Sequence, residues 1–400
     1  MLYLDMITRK FLPIVQKSLR HNPACVLIGP RQSGKTTLAR QILSLHPESV
    51  YFDLEDSRDF RKFEDPGTLF ERYENSLVII DEIQTRPELF RELRPAIDRN
   101  RKDGRFLLLG SASPVLITGV SEYLTGRVEY HEITPLTLSE LPDITLREQH
   151  LMRGGFPSSL LAENNQNSRN WRKSYIQSYA QIELANIFGA GFNQKTVNNL
   201  WRMLAHLQGG LLNQSTLASS LGVTIPTVKR YIDYLAASFH LRLLEPWQIN
   251  MKKRMVKSPK VYIRDSGLLH TLLDIETYDD LLGHPSAGQI WEGYVIEQIA
   301  GILDNRYSLY FYRTSNGAEA DLVIARGLKP VIAADIKFSN SPVPSRGFYE
   351  SVRDLSPAKA FIIMPDGDGF PGKNDVTYCG LNKFLAILSD YVSGNTDALK

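Results

Sequence analysis

The chain has 400 residues, 43% of them hydrophobic and 10% aromatic, and a nearly balanced net charge of +2. The length suggests two to four domains, and the composition is ample for hydrophobic cores. No stretch approaches the roughly 20 apolar residues of a membrane-spanning helix, so we expect no membrane association.

Targeting and redox signals predict a cytoplasmic protein. The first five residues lack the basic-then-apolar pattern of a signal peptide. Cys25 and Cys379 lie far apart in the sequence, and Cys25 falls in an apolar, strand-like run. Both are therefore interpreted as reduced structural residues.

Residues 29–36 fit the pattern G-x-x-x-x-G-K-[ST] of a phosphate-binding loop. An apolar, strand-like run at 25–28 precedes the loop and a helix-like run at 37–43 follows it. The backbone N–H groups and the helix N-terminus would bind phosphates, Lys35 would reach the β- and γ-phosphates, and Thr36 would ligate Mg²⁺. A chance match in an ordinary loop is the alternative, which the flanking elements disfavour. The residues assigned to nucleotide binding are Gly29, Pro30, Arg31, Gln32, Ser33, Gly34, Lys35, Thr36 and Thr37.

The next chemical signal is a pair of acids, Asp81 and Glu82, which follows the apolar run 77–80. Such a run predicts a buried parallel strand that delivers both acids to the carboxyl edge of a sheet, where ligands bind. Asp81 would hold the Mg²⁺ shell, and Glu82 would polarise the attacking water. A strand followed by an ordinary helix cap is the alternative, but the spacing from Lys35 disfavours it.

A further buried strand is predicted at 106–110, and it ends in small polar residues. A hydroxyl at this edge would sense the γ-phosphate. Ser111 is the first candidate and Ser113 the second, while a tight turn that requires small residues is the alternative.

Five motifs together resemble a prokaryotic AAA+-type ATPase family related to the STAND and initiator-like branches. They are GPRQSGKTT at 29–37, DEIQ at 81–84, GSAS at 110–113, SEYLTGR at 121–127 and PLTLSE at 135–140. The resemblance covers essentially the whole chain. It implies an ATPase that uses ATP and Mg²⁺.

The resemblance also implies roles for Arg127 and Pro157. Arg127 stands at the GR arginine of the family pattern, and in such proteins an arginine from a neighbouring subunit often stabilises the transferring phosphoryl group. A homo-oligomer is therefore a candidate assembly that Arg127 alone does not establish, and a salt bridge is the alternative role. Pro157, in the segment 154–157, resembles an element that touches nucleotide at the base of a helical lid. A tight turn that opens a helix is the alternative there.

The predicted architecture is α/β, with a P-loop AAA+-like parallel sheet domain at 1–150 and a helical lid at 151–205. A winged helix-turn-helix follows at 206–270, and an α/β domain of PD-(D/E)xK type at 275–400. In the lid, aromatic and aliphatic residues recur at three- and four-residue steps, which predicts a core-facing stripe. The stripe comprises Trp171, Tyr175, Ile176, Tyr179, Ile182 and Ile187.

The segment 213–235 predicts the helix-turn-helix. Gly222 allows the tight turn, Thr224 caps the second helix, and Val228, Ile232 and Leu235 bury it. In DNA-binding proteins of this type the second helix enters the major groove. We place Thr227, Lys229, Arg230 and Tyr231 on or near its exposed side.

Charge favours DNA as the partner of this unit. Residues 206–264 carry nine Lys or Arg and only two acids, a net charge of +7, while the rest of the chain sums to −5. Residues 239–244, followed by the basic run at 252–254, predict a hairpin or wing with a basic tip. The candidate DNA contacts are Lys229, Arg230, Lys252, Lys253 and Arg254. A spacer or a protein-docking unit is the alternative, but neither requires this charge.

The last domain carries acids in the order of a nuclease. Glu292 lies in a predicted helix, Asp321 begins a strand, and Asp335 and Lys337 share one side of the next strand. This resembles the PD-(D/E)xK pattern of restriction-endonuclease-like domains and Holliday-junction resolvases. Glu292, Asp321 and Asp335 would bind Mg²⁺ and Lys337 would position the attacking water. No proline precedes Asp321, and an inactive scaffold or a nucleic-acid platform is the alternative.

Three functions follow from these patterns. The first is a DNA-binding ATPase whose nucleotide state repositions the winged helix and the nuclease-like domain on DNA, with branched and single-stranded DNA as candidate structures. The second is a nucleotide-gated switch or scaffold that binds protein partners. The third is an active Mg²⁺-dependent DNA nuclease.

Overall fold

The computed structural model describes residues 7–111, 119–120, 122–143, 146–179, 181, 193–248 and 256–399. In the first third of the chain, strands alternate with helices. These elements are α1 Phe11–Leu19, β1 Ala24–Gly29, α2 Lys35–Leu45, β2 Val50–Asp53, α3 Ser57–Lys62, α4 Pro66–Arg72, β3 Val78–Asp81, α5 Leu89–Arg99, β4 Phe106–Ser111 and β5 Val128–Glu132.

The five strands form one parallel sheet in the order β2-β3-β4-β1-β5. Strand β3 is buried over its whole length, and β1 and β4 over most of theirs, because helices cover both faces of the sheet. Separate hydrophobic clusters fill the two sides. Since the strands are parallel and in register, Gly29 lies beside Ser111 and Asp53 beside Asp81 at one edge. The predicted strands and the sheet edge that they share are confirmed.

The middle of the chain is largely helical. Its elements are α6 Arg147–Arg153, α7 Pro157–Leu160, α8 Asn165–Ser178, α9 Gln194–His206, α10 Gln214–Leu221, α11 Ile225–Ala237, β6 Leu241–Leu244, β7 Lys260–Ile263, α12 Ser266–Leu272 and α13 Tyr278–Gly283. Helices α10 and α11 meet at Gly222, whose φ is +65°, and the Thr224 side chain accepts a hydrogen bond from the Thr227 N–H. These are the turn and the cap that the sequence predicts. Strands β6 and β7 pair antiparallel.

The aromatic stripe of the lid packs largely as expected. Tyr175 and Tyr179 are buried, and Trp171 and Ile176 are half-buried against the same core. Ile182 and Ile187 lie outside the described residues.

The C-terminal part is an α/β unit around a six-stranded mixed sheet in the order β12-β13-β11-β10-β9-β8. Its elements are α14 Ala287–Ala300, β8 Ser308–Arg313, β9 Glu319–Arg326, β10 Lys329–Ile336, α15 Arg346–Leu355, β11 Lys359–Met364, β12 Phe370–Pro371, β13 Val376–Gly380 and α16 Leu381–Val392. Helices cover both sides of the sheet, so residues of β9 and β10 are buried on both faces.

One hydrophobic cluster extends from Leu138 to Leu399 and includes the lid, the helix-turn-helix and one face of the C-terminal sheet. The segment after β6 adds to the edge of that sheet, because the Trp247 N–H donates to the Phe311 carbonyl at 2.7 Å. The boundaries that we expect near residues 205 and 270 therefore do not separate independent cores.

Two further expectations concern the whole chain. No described helix is long and apolar enough to cross a bilayer. Cys25 and Cys379 are both buried and unpaired, each within a hydrophobic core.

Two buried histidines lie where these parts meet. His150 Nε2 lies 2.8 Å from the Leu136 carbonyl oxygen and its Nδ1 lies 2.9 Å from the Tyr294 hydroxyl. His240 Nε2 lies 3.0 Å from the Tyr175 hydroxyl. Burial lowers the pKa of His150 to about 4 and, together with the charge of Arg264, lowers the pKa of His240 to about 3.

These depressed pKa values predict acid sensitivity. The unfolded chain binds protons at histidine below about pH 6.5, whereas these folded residues stay neutral, so the free energy of unfolding should fall as the pH drops from 6.5 towards 4. The contribution is about 1.4 kcal/mol per pH unit for each residue. Urea unfolding at several pH values should show a shallower dependence for His240→Gln, and the wild-type dependence for the exposed control His21→Gln. An unchanged slope in His240→Gln would contradict the assignment.

Candidate functional site

The loop between β1 and α2 depends on two glycines. A Cβ atom at Gly29 would lie 2.2 Å from the Ile133 carbonyl oxygen, so any larger residue would push the loop off the sheet. Gly34 has φ +93° and is the N-cap of α2, a conformation that favours glycine. The loop therefore delivers Lys35, Thr36 and Thr37 to the first turn of the helix.

Lys35 is buried within its own loop. Its Nζ donates hydrogen bonds to the carbonyl oxygens of Gly29 at 3.0 Å and Pro30 at 2.9 Å. Ser33 Oγ is also buried, and it has no hydrogen-bond partner among the residues that the structure describes. An ammonium group, an unpaired hydroxyl and a helix N-terminus in one loop fit a bound phosphate chain.

Asp81 ends β3 opposite this loop. Thr36 Oγ1 and the Tyr51 hydroxyl each donate to Asp81 Oδ2 at 2.7 Å, and the Glu82 N–H donates to Oδ1 at 2.9 Å. Burial and the charge of Asp81 raise the pKa of Tyr51, so its hydroxyl stays protonated as a donor. The hydroxyl and the carboxylate that we predict as Mg²⁺ ligands are therefore adjacent, and these oxygen donors fit that ion. Sequence reasoning did not identify Tyr51, whose alternating strand position carries no signal of its own.

Glu82 has a left-handed backbone, with φ +53°, which turns its side chain back towards the sheet edge. Gln84 Nε2 donates to Glu82 Oε2 and, at 3.1 Å, to Ser111 Oγ. Burial raises the pKa of Glu82, while Gln84 and Lys35 oppose that shift. The Glu82 carboxylate and the Ser111 hydroxyl, the candidate sensor, therefore both accept hydrogen bonds from the side-chain amide of Gln84. Gln84 belongs to the DEIQ motif, but sequence reasoning gave it no role.

Arg9 is a buried residue of this site that sequence reasoning missed. Its Nη1 donates to the Ser33 carbonyl at 2.7 Å, its Nη2 to the Thr134 carbonyl at 2.6 Å, and its Nε to Glu140 Oε1 at 2.8 Å. The guanidinium therefore ties the phosphate loop to the segment 134–140. Nothing in the local sequence around Arg9 points to these partners, which are distant in the chain.

The structure shows contacts of Arg127 and Pro157 that do not involve the phosphate loop. Arg127 forms a two-point ion pair with Asp98, with N–O distances of 2.6 and 2.8 Å, which is the salt bridge named above as the alternative. Its role in a neighbouring subunit stays a prediction. Pro157 occupies the first turn of α7 and is buried, as expected for a helix start. Gly155 accounts for the tight turn before it, because a Cβ there would lie 2.1 Å from the Leu136 carbonyl oxygen.

The lid contacts the phosphate loop through helix α8. The Tyr175 hydroxyl donates to the Arg31 carbonyl at 3.4 Å and also lies 3.0 Å from His240 Nε2. A cleft of about 180 Å³ lies here, lined by Arg31, Gln32, Trp171, Ser174, Tyr175, Ser178 and Tyr179. The loop that would bind nucleotide therefore touches a helix that is packed on the end of the helix-turn-helix.

The exposed face of α11 is smaller than expected. Lys229 and Arg230 are exposed, whereas Thr227 is half-buried and Tyr231 is only 6% exposed. The placement of Tyr231 on the outer side is wrong, because position 231 follows Val228 by three residues and joins the buried face. Lys252, Lys253 and Arg254 lie outside the described residues, as does Ser113.

Part of the basic charge of segment 206–264 is neutralised within the fold. The Arg264 side chain is 10% exposed; its Nη2 contacts Glu132 Oε1 at 2.5 Å and its Nε contacts Glu297 Oε2 at 2.9 Å. Arg242 pairs with the same Glu297, and Lys260 pairs with Glu292. These acids lie outside the basic segment in the sequence. The net charge of +7 therefore overstates the positive charge that a partner would meet.

The acids of the C-terminal domain do meet, together with a lysine that was not predicted. Lys260 Nζ lies 3.0 Å from Glu292 Oε1, 3.4 Å from Glu319 Oε1 and 3.7 Å from Asp321 Oδ1. The Tyr262 hydroxyl donates to the same oxygen of Glu292. Burial lowers the pKa of Lys260, but the surrounding carboxylates raise it above that of an ordinary lysine.

Asp335 and Lys337 face the same side of the chain, as predicted, with Nζ 2.6 Å from Asp335 Oδ1. The Ile336 N–H donates to Asp321 Oδ2 at 2.9 Å. Burial and the charge of Asp321 raise the pKa of Asp335 to about 8, and the same two causes raise that of Glu292 to about 7. We call Lys260, Glu292, Glu319, Asp321, Asp335 and Lys337 the acidic cluster.

The acidic cluster does not fit the predicted Mg²⁺ centre. The described part of the chain contains no group of three or more His, Cys, Asp or Glu side chains arranged to hold a metal ion. Glu292 already accepts hydrogen bonds from Lys260 and Tyr262. Of the three predicted metal ligands, this leaves Asp321 and Asp335, which lie close to one another. We therefore derive no metal-dependent cleavage from this arrangement.

Comparisons with known proteins support the interpretation of the first domain as a P-loop ATPase domain. Residues 21–142 match the family model of an AAA domain, residues 144–279 match a domain of unknown function (DUF8612), and residues 287–384 match a domain of unknown function (DUF4143). The chain is 39% identical to the uncharacterized protein Rv2008c of Mycobacterium tuberculosis over 371 residues, which cover 93% of this chain and 83% of that protein. The uncharacterized protein Mb2031c of Mycobacterium bovis matches equally. The chain belongs to their family.

Solved structures overlap this chain more weakly. The Walker-type ATPase PABY2304 of Pyrococcus abyssi is 16% identical, with a TM-score of 0.47, and the overlap covers 67% of this chain and 96% of that one. The RuvB Holliday junction branch migration motor of Thermotoga maritima is 20% identical, with a TM-score of 0.27, over 60% and 90%. Overlaps at this level add no argument. The AAA-domain match and the parallel sheet together place the first domain among P-loop ATPases.

Arg9 should support nucleotide binding although it lies outside the loop motif. Arg9→Met removes charged hydrogen bonds to the Ser33 and Thr134 carbonyls, and such bonds contribute about 1.5–3 kcal/mol each. We expect the affinity for a fluorescent ATP analogue to fall about tenfold or more. The exposed Arg61→Met should bind like the wild type. An unchanged affinity in a variant that melts cooperatively would exclude this role.

Proposed function

We propose that the protein hydrolyses ATP at the site formed by the phosphate loop, Asp81 and Glu82, and that nucleotide state controls how its middle and C-terminal parts bind DNA. The observation that carries the proposal is the contact at one sheet edge between Thr36 and Asp81, beside the buried ammonium of Lys35. The match to an AAA domain supports it independently.

The residues of this edge would divide the chemistry. Lys35 would exchange its bonds to the loop carbonyls for phosphate oxygens, and Thr36 and Asp81 would hold Mg²⁺. When bound, that ion neutralises phosphate charge. Glu82 would orient a water and take its proton, and Gln84 would keep Glu82 aligned with Ser111.

Two substitutions separate binding from hydrolysis. Lys35→Ala should abolish binding of a fluorescent ATP analogue, because the loop loses its cation. Glu82→Gln should bind the analogue normally but lower kcat by about 100-fold or more, because the amide takes up no proton. Phosphate release and analogue titration measure the two effects, with the exposed Lys102→Ala as a matched control. Wild-type turnover in Glu82→Gln would contradict the assigned role.

The proposed DNA contact is the helix-turn-helix with its hairpin, which we interpret as a winged helix. The order α9, α10, α11, β6, β7 supports this interpretation, as do the exposed Lys229 and Arg230 near the start of α11. The segment that carries Lys252, Lys253 and Arg254 would supply further phosphate contacts.

A nucleotide-gated scaffold that binds protein is the second candidate. One observation favours it: Arg242, Lys260 and Arg264 are already paired with acids of this chain, so they offer little charge to a polyanion. Binding to DNA at different salt concentrations distinguishes the two functions.

The DNA proposal predicts a salt-dependent affinity. Labelled duplex, four-way junction and single-stranded DNA should each be titrated at several salt concentrations between about 50 and 300 mM. Binding that depends on phosphate contacts weakens over this range. Lys229→Ala with Arg230→Ala should weaken binding and reduce the slope of log K against log salt by about 0.9 for each phosphate that is no longer neutralised. Lys102→Ala should behave like the wild type. Absence of binding at the lowest salt concentration would favour the protein scaffold.

A further inference from the structure

Lys260 lies inside the acidic cluster rather than at its rim. Its side chain is only 4% exposed, and its ammonium group lies within 3.7 Å of carboxylate oxygens from Glu292, Glu319 and Asp321. The surrounding acids come from a helix and a strand of the C-terminal domain, whereas Lys260 begins β7 of the helix-turn-helix unit.

The geometry of β7 makes this placement specific. Lys260 and Tyr262 are two residues apart on the strand, so both point to the same side, and both contact Oε1 of Glu292. Between them, Val261 is fully buried on the other side. The strand is paired with β6, and an isolated bridge joins Lys260 to Leu211. The position of Lys260 among the acids is therefore fixed by a paired strand, and its side chain is only 4% exposed.

Electrostatics makes the ammonium and a divalent cation alternatives at this position. Buried carboxylates need a positive partner, because an unpaired buried charge is strongly destabilising. Two cations on the same carboxylate oxygens, however, repel each other strongly in a buried site. While the Lys260 ammonium group contacts Glu292, that carboxylate is not available to a metal ion.

What remains without Glu292 is a poor metal site. Asp321 Oδ2 accepts the Ile336 N–H, and Asp335 Oδ1 accepts from Lys337. Asp335 Oδ2 is buried with no hydrogen-bond donor among the described residues, so one oxygen faces the cluster unpaired. A divalent cation at this oxygen would have to share Asp321 and Asp335 with the ammonium groups of Lys260 and Lys337, which repel it.

We infer that Lys260 is the resident cation of the acidic cluster and that it keeps divalent metal out of the C-terminal domain as long as β7 is in place. This inference rests on neither ATP hydrolysis nor DNA binding. It assigns to Lys260 the role that a metal ion fills in a metal-dependent nuclease, and it makes the helix-turn-helix unit part of the cluster.

The experiment measures Mn²⁺ binding to the full-length, nucleotide-free protein by loss of the free-ion electron paramagnetic resonance signal. Asp335→Asn identifies binding at the cluster, since Mn²⁺ at the phosphate loop does not depend on Asp335. We expect no Asp335-dependent binding in the wild type. Lys260→Met should gain about one Mn²⁺ that is lost again when Asp335→Asn is added, while the exposed control Lys329→Met, on the same sheet, should gain none.

A second measurement tests whether the Lys260 variants remain folded. Lys260→Met leaves Glu292 without its cation, so its melting temperature in chelator should fall, and Mn²⁺ should restore it. If Lys260→Met does not fold in chelator, Lys260→Gln, which can still donate to Glu292, takes its place. Asp335-dependent Mn²⁺ binding by the wild type would overturn the inference. Absence of binding in the Lys260 variants would also overturn it, because Lys260 would then not be what excludes the metal.

Discussion

The ion pairs of Arg264, whose side chain is only 10% exposed, link the three parts of the chain. The guanidinium joins Glu132, at the end of a strand of the ATPase sheet, to Glu297 in helix α14 of the C-terminal domain. Arg264 itself follows β7 of the helix-turn-helix unit. Glu132 is 41% exposed and Glu297 only 11%, so the pair with Glu297 is the better shielded of the two, and it adds to the hydrophobic cluster that the middle and C-terminal parts share. Helix α14 extends this link, since it also carries Glu292 of the acidic cluster, and its Gln298 accepts the Leu138 N–H.

A nucleotide in the phosphate loop would act on this framework through short paths. Arg9 bonds the loop carbonyl of Ser33 and the Glu140 carboxylate, and the next residue, Lys10, donates to the Gly301 carbonyl at the end of α14. On the other side, Tyr175 links the loop to His240 after α11. Both paths run through buried polar contacts, which have few alternative arrangements. The first path joins the phosphate loop to α14, and the second joins it to the end of the helix-turn-helix.

How far the sequence predicts this structure depends on how local each feature is. The phosphate loop, Asp81 with Glu82, and the turn at Gly222 are contiguous patterns, and all of them are present where the residues indicate. Tyr51, Arg9 and Lys260 act through partners that are 24 to 131 residues away, so no local pattern marks them. The same cause limits charge counting: Arg242, Lys260 and Arg264 are three of the nine basic residues of segment 206–264, and the acids that pair with them come from other elements. Tyr231 shows that a helix face can be misjudged by one position.

The position of Arg9 and Lys10 bears on how the molecule can be divided. The AAA-domain match begins at residue 21, whereas both residues precede it and grip the loop, the segment 134–140 and α14. A fragment that begins at residue 21 would keep every nucleotide-binding motif, yet it would lose the Arg9 side chain, which donates a hydrogen bond to the Ser33 carbonyl of the phosphate loop. A fragment that keeps the contacts of Arg9 with the phosphate loop must therefore begin before residue 21.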